Sequence, residues 1–190
     1  MGNLFLGLVH YPVYNKNMEV IATSITNMDV HDIARTATTY GIEKYFLVHP
    51  LETQHEITQE ILKYWQEGYG GVYNPDRKKA LKLVAIKHSI ADVLNEIKSQ
   101  YTGQIKIIVT DARKYDHSID YLTLKEKINH SPENINYLIL FGTGWGLNKD
   151  VLESADYRLL PIYGKGDYNH LSVRSAVAII LDRLCGEKWW

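Results

Sequence analysis

Short apolar runs alternate along the chain with longer stretches in which apolar residues recur every three or four positions. The short runs are LFLGLVHYPV (4–13), VIATSI (20–25), KYFLVH (44–49), LKLVAI (81–86), IKIIVT (105–110), NYLILF (136–141) and YRLLPI (157–162). Their brevity and their β-branched and aromatic content predict strands. Between them lie amphipathic segments. VHDIARTATTYG puts Ile33, Ala34, Ala37 and Tyr40 on one helical face, with Gly41 as the stop. TQHEITQEILKYWQEG is predicted to open with a capping box of Thr53 and Glu56 and to end at Gly68. SIADVLNEIKSQYTG repeats this logic with Ser89, Asp92 and Gly103. Shorter helices are expected over 121–130 and 148–155, and a last one from about Asn169 to Cys185. The stretch 67–80 shows no period and is expected to be an irregular loop. There is no internal repeat and no linker-like tract.

Near-continuous apolar strands joined by helical crossovers predict an α/β fold. A mostly parallel sheet would carry helices on both faces. The length of 190 residues suits one domain over the whole chain. In such sheets ligands bind beyond the carboxyl ends of the strands. That rule selects TDARKY after IKIIV, GTGWGL after YLILF, and YGKGDYNH after RLLPI.

Composition narrows the picture only a little. Hydrophobic residues make up 45% and charged residues 23%, with a net charge of −1, so a nucleic-acid enzyme would need a local basic patch or a partner. Cys185, the single cysteine, sits in the last apolar helix pattern and reads as a buried structural thiol in a reducing compartment. The opening MGNLFLGLVHYPVY has no basic leader, and no apolar run reaches membrane-spanning length, so a cytoplasmic protein is expected.

Three stretches carry candidate chemistry. In FGTGWGLN, Gly142, Gly144 and Gly146 permit close approach of backbone to a ligand, but the third glycine comes too early for the dinucleotide fingerprint. In YGKGDYNHLS, Gly164 and Gly166 form a turn, and Asp167, Asn169 or Ser172 is placed to cap the last helix. Two glycine turns with few charges suit an uncharged aromatic ring held by main-chain groups, rather than a polyphosphate. In TNMDVHDIARTATTYGI, Asn27 and Arg35 flank a helix start, and Arg35 lies off the apolar face. No metal site is expected, because the eight histidines are scattered and HEITQ has Gln59 where a zinc-protease helix needs its second histidine. No G-x-S-x-G elbow is present.

Taken together, N…DIARTATTYGI, YLILFGTGWGL and LLPIYGKGDYNHLSVRSAVAIILDRL resemble the three ordered motifs of the SPOUT RNA methyltransferases. They are most similar to the small bacterial family of SAM-dependent RNA methyltransferases. The resemblance covers nearly the whole chain. It implies an α/β-knot: a sheet whose C-terminal segment threads a loop to form a trefoil. It also implies S-adenosylmethionine as methyl donor, RNA (tRNA as the expected class) as substrate, and a homodimer formed through the C-terminal helix. Carried over by position, the donor-binding residues would be Thr110, Asp111 and Ala112; Gly142, Thr143, Gly144, Gly146 and Leu147; and Leu160, Pro161, Ile162, Gly164, Asn169, His170, Leu171 and Ser172. An ungapped alignment puts His170 at the family's asparagine position, with Asn169 one residue earlier, and both stay candidates. Gly144 stands where the family often has an acid.

The expected reaction is methyl transfer to a ribose 2′-hydroxyl, or to a base nitrogen, with Arg35, Asn27 and His170 as catalytic residues. Arg35 would hold a phosphate bidentately, since a guanidinium stays charged and is no base. His170, Asp32 and a water are the candidate proton acceptors. The 67–80 stretch carries Tyr69, Tyr73, Arg77, Lys78 and Lys79, a mix suited to stacking on and neutralising RNA. Trp189 and Trp190 are candidates to cover an interface. Two other readings stand beside this one: a knot module that binds SAM or RNA without transferring methyl, and a Rossmann-type NAD oxidoreductase.

Overall fold

The computed structural model describes residues 2–132 and 134–187. Trp189 and Trp190 lie outside the described residues. The chain begins with β1 (Asn3–Val9), the short hairpin strands β2 (Val13–Tyr14) and β3 (Val20–Ile21), and α1 (Asn27–Thr39). It continues through β4 (Lys44–Val48), α2 (Glu52–Gln66), α3 (Tyr69–Tyr73), α4 (Pro75–Leu81), β5 (Val84–Lys87) and α5 (Ile90–Gln100). The second half contains β6 (Gln104–Val109), α6 (Tyr121–Asn129), β7 (Ile135–Gly142), α7 (Lys149–Ser154), β8 (Tyr157–Arg158) and α8 (Val173–Cys185).

Six strands form one sheet in the order β5-β4-β1-β7-β6-β8, and every pair in it is parallel. β1 sits in the middle with Asn3 opposite Asn136 and Val9 opposite Gly142. Alternate side chains of the central strands enter two cores, as the pleat requires. Leu4, Leu6, Leu8, Tyr45, Leu47, Ile139 and Phe141 meet α1, α4, α6 and α8 through residues such as Ile33, Ala37, Leu81, Leu124 and Leu181. Phe5, Val9, Phe46, Val48, Leu138 and Leu140 face the opposite way, against Val93 and Ile97 of α5 and Val151 and Leu152 of α7. Helices therefore cover both faces, as the alternation of runs predicts.

The departures have physical reasons. The expected strand 20–25 pairs only at Val20–Ile21, in an antiparallel hairpin with Val13–Tyr14; residues 22–26 run on unpaired. The expected strand 157–162 pairs in the sheet only at Tyr157–Arg158, and Pro161, which has no N–H, follows where the chain leaves it. The capping box of Thr53 and Glu56 does not form, because α2 already starts at Glu52 and Leu51 is its N-cap, without a side-chain bond. Ser89 does cap α5, accepting from Asp92 N and donating to the Asp92 carboxylate at 2.7 Å. The 67–80 stretch is helical, not irregular: Asn74 caps α4 and Pro75 fills its first turn, where a missing N–H is harmless. Residues 169–172 lie outside the helix, which begins at Val173, and Ser172 is the cap of α8.

Candidate active site

The direction of the sheet order reverses between β1 and β7, and a cavity of about 800 Å³ opens beyond the carboxyl ends of β1, β7, β6 and β8. This is where a ligand site is expected in a parallel sheet. Three of its walls are the loops selected from sequence: 110–113, 141–146, and 160–162 with 169–173. Ala176 and Ile180 of α8 close the apolar side.

The 142–146 turn is shaped by its glycines. Gly144 has φ +59° and Gly146 φ +96°, a region that L side chains avoid. A Cβ on Gly144 would lie 2.7 Å from Tyr14 O. The turn is stitched to the β2–β3 hairpin by Tyr14 N donating to Gly146 O (2.9 Å) and Trp145 N donating to Tyr14 O (2.8 Å). Beside it, both Asp111 oxygens are occupied. One accepts from Arg113 N (2.8 Å) and Nε (3.1 Å); the other accepts from Arg113 Nη2 (2.8 Å) and Tyr115 OH (2.9 Å). Burial and that bond to Asp111 push the Tyr115 phenol up to about 12. Asn169 Nδ2 donates to Ala112 O (2.8 Å) and so ties the third loop to the first. His170 is exposed and meets Tyr168 edge to face at 5.5 Å.

Of the residues carried over for donor binding, Thr110, Asp111, Ala112, Gly142, Thr143, Gly144, Gly146, Leu160, Pro161, Ile162, Asn169, His170, Leu171 and Ser172 all line the cavity. Two do not. The Leu147 side chain is fully buried in the second core, turned there by an antiparallel bridge to Val13. Gly164 is exposed at the tip of its turn, with open space where a Cβ would point. Among the expected catalytic residues only His170 lines the cavity. Asn27 sits exposed in the first turn of α1, and Arg35 is exposed two turns further along, because the face of α1 that carries Ile33, Ala34 and Ala37 turns inward. Asp32 is also outside and pairs with Arg174 Nη1 at 2.9 Å.

The fourth wall was not anticipated. It consists of His10, Thr23, Ser24, Thr26 and Asp29, with Arg113 at the mouth. Thr26 caps α1 by accepting from Asp29 N, and its Oγ1 donates to Asp29 Oδ2 at 2.6 Å. Thr26-x-x-Asp29 is a capping signal visible in the sequence. His10 is almost wholly buried, with Nδ1 3.0 Å from Thr23 Oγ1 and no partner for Nε2. Burial, and then the neighbouring His49, lower its pKa to about 4. His49 Nδ1 accepts from Leu51 N, so its Nε2 carries the proton and donates to Thr23 O at 3.1 Å. The extended segment 22–26 is thus held from both sides.

The walls are apolar at Leu160, Pro161, Ile162, Ala176 and Ile180, with main chain from glycine turns opposite and no lysine. That chemistry fits an adenosine-sized uncharged ring and does not fit a polyphosphate.

Residues 3–186 match the profile of the family described as SAM-dependent RNA methyltransferase. An uncharacterized protein of Aquifex aeolicus is 42% identical over 182 residues, covering 96% of this chain and 88% of that protein. A tRNA (guanine-N(1)-)-methyltransferase of Oleidesulfovibrio alaskensis is 39% identical over 185 residues, covering 97% of this chain but 42% of that protein, so the chain spans less than half of that relative. Among solved structures, the SpoU methyltransferase AviRb of Streptomyces viridochromogenes, in complex with AdoMet, superposes with a TM-score of 0.55 at 15% identity, over 96% of this chain and 57% of that one. At that identity the likeness shows the fold.

Proposed function

The chain belongs to the SAM-dependent RNA methyltransferase family, and from that premise we propose that the cavity at the carboxyl ends of β1, β7, β6 and β8 holds the methyl donor against the target nucleotide of a structured RNA, tRNA being the class. Family membership leaves no room for the nicotinamide oxidoreductase reading. The observation that carries the proposal is convergence: three regions far apart in sequence, 110–112, 142–146 and 160–162 with 169–172, meet around one space. The donor's adenosine lies between the glycine turn and the apolar residues of 160–162. The trefoil threading belongs to this proposal, supported by the way 159–160 passes against Ile119 before lining the cavity.

The sulfonium supplies a methyl group that needs no metal to activate it; the protein's task is to bring an oxygen or nitrogen nucleophile into line and remove its proton. Positioning contributes on the order of 7–11 kcal/mol to such a step. We assign the target as a ribose 2′-hydroxyl. Exposed Arg35, outside the cavity, clamps the phosphate beside it, and Asn27 contacts the same RNA strand. The half-exposed apolar residues of α8, Ala178 and Ile179, support a homodimer through that helix. No helix among the described residues is long and apolar enough to cross a membrane, which accords with a cytoplasmic place for the enzyme.

Calorimetry with SAM, NAD and ATP should give saturable binding for SAM alone. Single-turnover transfer of labelled methyl to RNA should collapse in Arg35→Ala and recover little in Arg35→Lys. Full activity in Arg35→Lys removes the bidentate clamp. SAM binding without transfer to any RNA makes the protein a non-catalytic module, and a product methylated on a base nitrogen overturns the ribose assignment.

A further inference from the structure

Methylation of an O–H or an N–H releases a proton, and the family reading leaves its acceptor unassigned. Five groups able to carry charge line the cavity: His10, Asp29, Asp111, Arg113 and His170. Arg113 stays protonated. Asp111 is committed, because four donors from Arg113 and Tyr115 occupy its two oxygens. His10 Nε2 is covered, and its ring is a weak base in that setting. His170 belongs to the 169–173 wall, among the donor-binding loops, and is exposed.

Asp29 is different in each respect. It lines the cavity with His10, Thr23, Ser24 and Thr26, outside the three loops assigned to the donor. It is 7% exposed, so it touches the cavity without being open to bulk water. Thr26 Oγ1 donates to its Oδ2 at 2.6 Å, and Arg174 Nε of α8 stands 3.6 Å from its Oδ1. The same guanidinium donates through Nη1 to Asp32 Oδ2 at 2.9 Å. The Tyr45 hydroxyl reaches the main-chain O of Asp29 at 3.4 Å, leaving the carboxylate to Thr26 and Arg174. Thr26 thus holds Oδ2 in place, and Arg174 sets its positive charge beside Oδ1 across a long contact that an incoming hydroxyl can outcompete.

We propose that Asp29 is the catalytic proton acceptor of this site and that Arg174 is the residue that positions it. The proposal rests on the methyltransferase reading above. In the step, the ribose oxygen forms the new O–C bond as the C–S bond breaks with its electron pair going to sulfur. The proton of the hydroxyl passes to the Asp29 carboxylate and from there to water. An attacking N–H would balance the same way.

The test uses the full chain. Asp29→Asn keeps the size and the acceptor for Thr26, so its melting temperature and its SAM affinity by calorimetry should stay within a few degrees and threefold of wild type. Its single-turnover methyl transfer should fall at least about 100-fold, the usual range for losing a general base, and its remaining rate should rise in proportion to hydroxide. Arg174→Gln should shift the pH–rate profile while leaving SAM affinity unchanged. The proposal is overturned if Asp29→Asn transfers methyl within threefold of wild type, if His170→Gln shows the large loss in its place, or if Asp32→Asn loses as much as Asp29→Asn. If wild type binds SAM yet methylates no RNA, the functional reading fails and takes this assignment with it. If wild type is active and Asp29→Asn is equally active, only this assignment falls.

Discussion

Acid should weaken this protein in part through one buried histidine. His10 follows the central strand, is 1% exposed, and contacts Thr23 through Nδ1 only, with Nε2 unpartnered. Its pKa drops from 6.5 to about 4, chiefly by burial and then by the nearby His49. The unfolded chain therefore takes up a proton below pH 6.5 that the folded protein refuses until about pH 4. The stabilisation is complete above pH 6.5, is lost as pH falls through that window, and is flat below it. The full shift corresponds to about 3 kcal/mol, most of which is gone between pH 7.5 and 4.5. Against a typical domain stability of about 5–15 kcal/mol this is a large fraction.

Urea unfolding at a series of pH values, for wild type and for His10→Asn, isolates the effect. The asparagine keeps a donor toward Thr23 and does not titrate. Groups that do not interact with His10 contribute equally to both proteins, so the difference between the two curves reports His10 together with its coupling to His49. Wild type should lose about 2–3 kcal/mol more than His10→Asn between pH 7.5 and 4.5. Parallel curves would refute the reasoning, since they require His10 to titrate in the native state as it does in the unfolded chain.

Gly146→Ala forces a side chain to φ +96° and sets a Cβ 3.0 Å from Arg113 Nη2 and 3.1 Å from Asp111; melting should show a loss of about 1–3 kcal/mol, with weaker SAM binding by calorimetry. Leu181→Ala opens a cavity where α8 meets the first core and should cost about 2–5 kcal/mol by denaturant titration. The Cys185 thiol is pushed up to about 11 by burial, so a thiol reagent at pH 8 should label the native protein at least about 100-fold more slowly than the unfolded chain. Lys78→Glu with Lys79→Glu on α4 should weaken RNA binding and reduce the log-affinity versus log-salt slope by roughly 1–2; Arg77 is left alone because its guanidinium packs over Trp65 at 4.7 Å.

The strands of the sheet were legible because a parallel strand buried on both faces must be apolar throughout, and runs such as KYFLVH and NYLILF have no other reading. The face of α1 was equally plain: Ile33, Ala34 and Ala37 are fully buried. The three candidate donor loops were legible from their place after the carboxyl ends of strands, and the resemblance then gave their individual residues. What the sequence hid was the fourth wall. Thr23, Ser24 and Thr26 arrive on an extended segment whose path depends on His10 and His49 holding Thr23, contacts that span 13 and 26 positions. Asp29 looks like an ordinary helix-capping acid until Arg174 of α8 is seen to reach it. The stretch 67–80 misled for a different reason: its two helices are too short to display a period, and only Asn74-Pro75 announced one of them.

The neighbour of β1 on one side is β4, and on the other it is β7, whose partner residues begin at Asn136. A nascent chain therefore emerges from the ribosome with its most apolar ribbon paired along a single flank. The second flank stays bare until β7 has been made. Until then the exposed peptide groups are open to any passing strand, and chaperone traffic should concentrate on that interval. The candidate pocket, lined by residues as late as Ile180, is assembled only after that stretch has been made.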